Sequence, residues 1–359
     1  MTSPLDPAQG ADSPEAADPT GPATGAPAKA VEITEAPEAL SGDELLSRTA
    51  VIVVSYDSAA LLERTLARVA EDSPEARIVV VDNYSTPAAR EELVALASSR
   101  GWEAVLPETN TGFGGGMNLG AARARELGAD LLVLLNPDAV IARADLIRLV
   151  ARAHADRLAL VAPVLKDSSG RIVSDGIVVC LADGSMRSRR SPRPIPPGGT
   201  QPWLSGACLA LSTDLFEAAG GLDARYFLYW EDVDFSARVM AAGGSLALVR
   251  DAVAVHDEGG THSESNQPDR AKSDIYYYYN VRNRLLYAGL HLDRTTQRRW
   301  VATAGRAARE IVLRGGRRQL LSTRRPLITA AQATRDGMRL LRAARRGELP
   351  DVDVPLIRD

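Results

Sequence analysis

The run Tyr229-Trp230-Glu231-Asp232-Val233-Asp234 sets three carboxylates within four residues, beside aromatic rings and just ahead of a helix-like stretch. Such a cluster can supply a general base. A second segment, Leu131-Leu132-Val133-Leu134-Leu135-Asn136-Pro137-Asp138, is an apolar strand of buried parallel-sheet character ending in a carboxylate on a proline turn. Ligands of open α/β sheets bind at strand ends. A carboxylate there suits a divalent cation that also contacts phosphate oxygens. Together the two segments point to metal-assisted group transfer from a nucleotide.

These side chains need a scaffold, and the chain ahead of them alternates strand and helix. Ala50–Ser55 reads as a first strand, followed by a helix capped by Asp57 or Ser58 with Leu61, Leu62, Thr65, Leu66 and Val69 on its buried face. Arg77–Val81 is a second strand ending at Asp82 and Asn83, Pro87–Ser99 a second helix, and Glu103–Leu106 a third strand. The alternation predicts a mostly parallel sheet. Ser55 with Asp57, Asp82 with Asn83, and Asn136 with Asp138 then share one edge, where they can contact a nucleotide; each one alone would read as a turn or cap residue. Beyond Leu165 the pattern shifts to hairpin-like pieces such as Arg171–Leu181, and the Pro-rich Ser191–Pro202 reads as a surface loop.

Between the third strand and Leu131 lies Asn110-Thr111-Gly112-Phe113-Gly114-Gly115-Gly116-Met117-Asn118-Leu119-Gly120. Glycines permit close backbone approach, and amides opening a helix favour anions, so this turn reads as a diphosphate cradle. It is neither the dinucleotide fingerprint, since Met117 and Leu119 stand where glycine is required, nor a Walker loop, since no Lys-Ser or Lys-Thr follows.

The ordered blocks VIVVSYDSAALL, VVVDNYST, ETNTGFGGGMNLG, LLNPDA, WLSGACLAL, GGLDARYFLYWEDVDFSARVMAAGG and YYYYNVRNRLLY, from about Ala50 to Leu292, resemble the inverting family-2 glycosyltransferases of GT-A fold, in their bacterial rhamnosyltransferase-like branch. The resemblance implies an α/β fold with a Rossmann-like nucleotide-binding half and an acceptor-binding half. It implies that Asp138, closing an Asn-Pro-Asp that replaces the family's usual Asp-x-Asp, contacts Mg²⁺ or Mn²⁺ on the donor diphosphate, with His256 as a further ligand. Asp232 becomes the implied base; the residues by themselves leave Glu231, Asp232 and Asp234 open, with Glu231 suited to acceptor hydroxyls and Asp234 to a cap or a pair with Arg238. Ser55, Asp57, Asp82, Asn83, Asn110, Gly114, Gly115, Gly116, Asn118, Asn136 and Arg284 are expected on the donor side. Trp203, Ser205, Gly206 and Trp230 are expected with Glu231 on the acceptor side, Trp203 reading equally as core; Trp230, Tyr229 and Tyr226 offer faces for sugar stacking. Asp57 and Tyr84 depart from the family pattern, which touches base recognition most.

By resemblance the donor is dTDP-L-rhamnose and the acceptor a polyprenyl-diphosphate-linked sugar, in cell-envelope polysaccharide assembly. UDP-galactofuranose or another UDP-sugar is the alternative donor, and a non-catalytic nucleotide-sugar-binding protein the alternative of another class. Composition limits the rest. The 359 residues, 45% hydrophobic, suit a globular protein with a substantial core. Cys180 and Cys208 have no metal-site spacing, and neither a signal peptide nor a membrane-spanning run is recognisable, which fits a reducing cytoplasm. Residues 1–46, acidic with Lys29 the only basic residue, read as a disordered tail; 47–292 form the catalytic domain; 293–359 form a basic helical extension. From Arg282 to Glu348 arginines outnumber acids roughly four to one at near-helical spacing. That suits peripheral binding to an anionic membrane, a solvated face or a homo-oligomer contact; no nucleic-acid reader motif is present.

Overall fold

The computed structural model describes residues 40–188, 191, 194–256 and 272–350. Its first element is a helix, Gly42–Ser47 (α1), inside the stretch expected to be tail. The Ser41 hydroxyl accepts from the Glu44 N–H while the Glu44 carboxylate accepts from the Ser41 N–H, and Leu45 and Leu46 are buried. This reciprocal cap plus apolar burial orders the segment, so the fold begins ahead of residue 47. Residues 1–39 of the expected tail lie outside the described residues.

Strand and helix then alternate, with the one helix expected after β1 divided in two and without a side-chain cap from Ser58: Thr49–Ser55 (β1), Ala59–Leu62 (α2), Leu66–Asp72 (α3), Arg77–Asp82 (β2), Pro87–Arg100 (α4), Glu103–Val105 (β3), Gly112–Glu126 (α5) and Leu131–Leu135 (β4). The four strands pair in parallel in the order β3-β2-β1-β4. Every β1 and β4 residue is buried because helices cover both faces. Alternate residues feed two cores: Val51, Val53, Val133 and Leu135 pack on one face, Ile52, Val54, Leu132 and Leu134 on the other. Ser55 stands opposite Asp82 and Val53 opposite Leu135, which brings the polar strand ends to one edge.

The second half comprises Ala139–Ile141 (β5), Arg143–Ala155 (α6), Ala159–Lys166 (β6), Ile172–Ser174 (β7), Ile177–Cys180 (β8), Met186–Ser188 (β9), Thr200–Trp203 (β10), Cys208–Ser212 (β11), Thr213–Ala218 (α7), Glu231–Ala241 (α8) and Ser245–His256 (β12). The main sheet continues β4-β11-β6-β12-β5, with β7 on β6; β11 and β5 run antiparallel to their neighbours. Residues 171–181 are not a hairpin. β7 joins the main sheet, while β8 lies between β10 and β9 in a separate antiparallel sheet. Pairing with β8 also turns the end of the expected Pro-rich loop into β10.

The C-terminal helices are Asp274–His291 (α9), Arg294–Ala302 (α10), Ala304–Leu313 (α11), Gln319–Ser322 (α12) and Arg325–Arg346 (α13). α13 lies against α9, where the missing side chain of Gly337 admits the Arg282 carbonyl; a Cβ at 337 would stand 2.8 Å from it. Leu285 and Leu286 of α9, Trp300 of α10 and Leu341 of α13 share one cluster with Trp230 and Val233. The segment beyond 292 therefore shares its core with the residues before it.

Candidate active site

At the ends of β1 and β2 the polar side chains bond to one another. The Ser55 and Ser58 hydroxyls lie 2.8 Å apart. Asp57 is exposed and takes φ 49°. Asp82, only 2% exposed, accepts from Arg90 Nε at 2.5 Å, and the same guanidinium covers the Tyr84 ring at 4.7 Å and reaches the Pro107 carbonyl. Asp82, expected as a free ribose or base acceptor, is thus a paired carboxylate.

The glycine segment departs from the cradle expectation. Gly114, Gly115 and Gly116 lie within α5, not in a turn before it. The amides opening the helix are already engaged: Thr111 N–H donates to Asn83 Oδ1 at 2.9 Å, Gly112 N–H to Asn110 Oδ1 at 2.9 Å, and Phe113 N–H to the Phe227 carbonyl at 2.7 Å. Asn118 clamps both backbone groups of Leu222 at 2.8 Å. A Cβ at 116 would stand 2.9 Å from a Val54 methyl, so glycine here lets α5 settle onto β1. Asn118 is engaged at both ends of its amide, and Asn83 and Asn110 through their Oδ1 atoms.

At the end of β4, Asn136-Pro137-Asp138 turns into β5; Ala139 N–H donates to the Asn136 carbonyl, and Thr65 Oγ1 donates to that of Pro137 at 2.7 Å. Because β5 pairs with β12, His256 stands opposite Ala139. Its Nε2 is 3.1 Å from Asp138 Oδ1 and 3.3 Å from Asn136 Nδ2. Among the described residues no three His, Cys, Asp or Glu side chains gather for a metal. One carboxylate and one imidazole fit a divalent ion that draws its other ligands from a diphosphate and water.

The acid cluster opens α8 after a strained approach. Phe227, Tyr229 and Trp230 have φ of 62°, 66° and 75°, unfavourable for residues with side chains. Asn283 of α9 secures this backbone: its Nδ2 donates to the carbonyls of Tyr226, Leu228 and Tyr229 at 2.8, 2.9 and 2.7 Å. Asp232 Oδ2 accepts from Gly206 N–H at 3.0 Å and Oδ1 from Val233 N–H at 2.8 Å. The next carbonyl after Gly206, that of Ala207, accepts from Asn136 N–H at 3.0 Å. Two backbone residues thus join Asp232 to the Asn136–Asp138 turn.

The three acids have different surroundings. Asp234 is fully buried between Arg238 Nε at 2.7 Å and His291 Nε2 at 2.6 Å. Burial opposes its charge, but these partners outweigh it and hold its pKa below the ordinary value. Asp232 is pushed up to about 6 by desolvation, against the backbone N–H groups. Glu231, 7% exposed with Oε2 unpartnered, is pushed up to about 8 by burial and then by the Asp232 charge. Near neutral pH the pair shares one charge.

Other expected site residues lie in the interior. Trp203 is buried in the cluster that also holds Trp230 and Trp300. Trp230 packs against Tyr287 and Trp300 at 5.6 and 6.3 Å, and Tyr226 is fully buried, so neither offers an open face to a sugar; Tyr229 stays half-buried. Gly206 N–H donates to Asp232, and Ser205 Oγ accepts from Ala207 N–H at 3.4 Å. Arg284, expected on the donor diphosphate, lies over Trp300 at 4.6 Å and donates to the carbonyls of Trp300 and Asp183 and to Thr303 Oγ1. None of these partners belongs to the strand-end crevice. Sequence reasoning missed Arg90 and His291, whose partners are distant in the chain or carry no motif, and placed Asn283 in the YYYYNVRNRLLY block without assigning it a role.

Residues 50–192 match the family described as Glycosyl transferase family 2. The chain is 26% identical over 251 residues to the low-salt glycan biosynthesis hexosyltransferase Agl10 of Haloferax volcanii, covering 67% of this chain and 76% of that one. It is 27% identical over 249 residues to the N-acetylglucosaminyl-diphospho-decaprenol L-rhamnosyltransferase of Mycobacterium tuberculosis, covering 61% and 78%. Among solved structures, GalNAc-T7 with UDP, GalNAc and Mn²⁺ aligns with a TM-score of 0.55 at 18% identity, over 72% of this chain and 50% of that one, a likeness of fold. The parallel β3-β2-β1-β4 half-sheet and the antiparallel β11 beside it agree with the GT-A fold of that neighbour, and residues 50–192 are similar to the family 2 glycosyl transferases.

Proposed function

We propose that this protein is a metal-dependent inverting glycosyltransferase that moves L-rhamnose from dTDP-L-rhamnose onto a polyprenyl-diphosphate-linked sugar at the cytoplasmic face of the membrane. The observation that carries the reading is the hydrogen-bonded link from Asp232 through Gly206 and Ala207 to the Asn136–Asp138 turn, where Asp138 meets His256. Asp138 and His256 would hold Mg²⁺ or Mn²⁺, which supplies charge neutralisation to the departing diphosphate. Asp232, with its proton affinity raised towards neutrality, takes the proton of the acceptor hydroxyl. The hydroxyl oxygen forms a bond to the anomeric carbon from the face opposite the diphosphate, and the old carbon–oxygen pair leaves with the nucleoside diphosphate. Glu231, largely protonated, donates a hydrogen bond to an acceptor oxygen. Asp234 is excluded as base by Arg238 and His291.

The name of the mycobacterial relative supports a diphospho-polyprenol acceptor. No helix among the described residues is long and apolar enough to cross a membrane. The exposed Leu321, Leu327 and Ile328 beside Arg317, Arg318, Arg324 and Arg325 suit docking on an anionic leaflet, each arginine contributing about 1 kcal/mol. The test is purified protein with a panel of dTDP- and UDP-sugars and a diphosphate-linked GlcNAc acceptor, with and without EDTA. Released dTDP that disappears with EDTA and returns with Mn²⁺ or Mg²⁺ is expected; full turnover in EDTA sinks the metal role, and preference for UDP-galactofuranose replaces the donor.

A further inference from the structure

A cavity of about 370 Å³ opens between the β8–β9 turn and helices α9 and α11, with Trp230 in its wall. Its lining holds four arginines, Arg187, Arg284, Arg306 and Arg314, against two carboxylates, Asp183 and Glu310. Asp183 is partly spent locally, its Oδ1 accepting from Ser185 N–H and Oγ at 3.0 and 2.6 Å. The Nε atoms of Arg187 and Arg284 are buried without a partner among the described residues, and Arg284 is only 3% exposed. A buried cationic donor left unpaired is costly, and an anion brought into the cavity would relieve it. Burial also lowers the Arg284 pKa to about 10, consistent with a guanidinium short of counter-charge. Arg306 and Arg314 are exposed at the rim, where Arg314 Nη1 donates to the Tyr276 hydroxyl at 3.2 Å.

The size suits a small polar ligand. Several guanidinium forks around one space select phosphate over a lone carboxylate, because each can meet two oxygens. Trp230 in the cavity wall directly precedes Glu231 and Asp232, and neither Asp138 nor His256 is among the lining residues. From this we infer that the cavity receives the phosphate groups of a phosphorylated acceptor, holding its adjoining sugar for Asp232. The assignment deepens the transfer reading above and rests on it for the identity of the acceptor. It also gives Arg284 a task separate from the donor diphosphate.

The direct probe is inorganic pyrophosphate, titrated by tryptophan fluorescence into the full chain in metal-free buffer, where the Asp138–His256 pair cannot recruit a cation. Wild type is expected to bind. The double variant Arg306→Gln/Arg314→Gln, altered only at exposed positions, should bind about tenfold more weakly, and Glu310→Gln severalfold more tightly. Pyrophosphate affinity unmoved by both overturns the cavity assignment. With the diphosphate-linked acceptor, the double variant should raise acceptor KM about tenfold and leave donor KM alone, whereas an alkyl glycoside of the same sugar should not sense the change. Pyrophosphate binding that needs the arginines, combined with an unmoved acceptor KM, assigns the cavity to a free anion and overturns the acceptor role. If no donor and acceptor turn over at all, the transfer reading fails while the pyrophosphate titration still decides the cavity.

Discussion

At the ends of β1 and β2 the polar side chains are spent on one another: Asp82 on Arg90, Asn83 on Thr111, Ser55 on Ser58. At the start of α8, Glu231 and Asp232 are buried or nearly so with little to neutralise them, and the backbone before them is strained. Both regions are rich in acids and amides. The contrast teaches that burial with a partner yields scaffold, while burial without one stores electrostatic energy that chemistry can draw on. Asp234 belongs with the scaffold although it is two residues from Asp232. Its charge is met by Arg238 and His291.

The sharpest way to break the contrast is at the base itself. Asp232→Asn should lower kcat by about 10³-fold with donor binding retained; turnover close to wild type would remove Asp232 from the chemistry. Since the base must be ionised, kcat/KM should fall as pH drops through about 6, and a flat profile between pH 5 and 8 would contradict this. Stability should move the opposite way. Both carboxyls bind protons more tightly folded than unfolded, so their contribution is most favourable below the ordinary carboxylate range and is lost as pH rises, up to about 6 for Asp232 and about 8 for Glu231. Thermal melts of Glu231→Gln should show less of that loss on the alkaline side.

A smaller effect is expected at Asn283. Asn283→Leu leaves three carbonyls unmet and frees the Phe227–Trp230 backbone, so kcat should fall about 10²-fold with donor KM nearly constant. The same change should cost about 1–3 kcal/mol of stability in urea titrations. Loss of stability with kcat intact would make Asn283 part of the scaffold only.

On the nucleotide side, Gly116→Ala should act on stability alone, destabilising by about 1–3 kcal/mol through overpacking against Val54. Raised donor KM with an unchanged melting temperature would restore the phosphate-cradle reading of this segment. The mildest effect is expected at the periphery. Leu321, 89% exposed, and Ile328 changed to Glu should weaken sedimentation with anionic vesicles severalfold and leave turnover on a water-soluble acceptor unchanged. Undiminished sedimentation would exclude this face as the membrane contact.

Much of the scaffold is legible in the chain because its signals are short-range. The runs that became β1, β2 and β4 have apolar interiors and lead into polar residues, as strands covered on both faces do. The α1 helix was readable too: Ser41 and Glu44 carry the spacing of a capping box, a cue hidden by the tail-like composition around it. The glycine run misleads for a physical reason. Glycines weaken an isolated helix, yet α5 forms because contact with β1 rewards the missing side chains. β7 and β8 look like one hairpin because both are short and adjacent, while their hydrogen-bond partners lie in different sheets.

The linear order of residues, by itself, determined the alternation of elements, the strand-end placement of Asp138 and the presence of an acid cluster at a helix start. Only the folded chain decided which acids are free. Arg90, His291 and Asn283 meet their partners across separations of 8, 57 and up to 57 residues. Propensity and periodicity extend over a few residues, whereas desolvation and ion pairing depend on distances that exist only after the sheet and helices have packed.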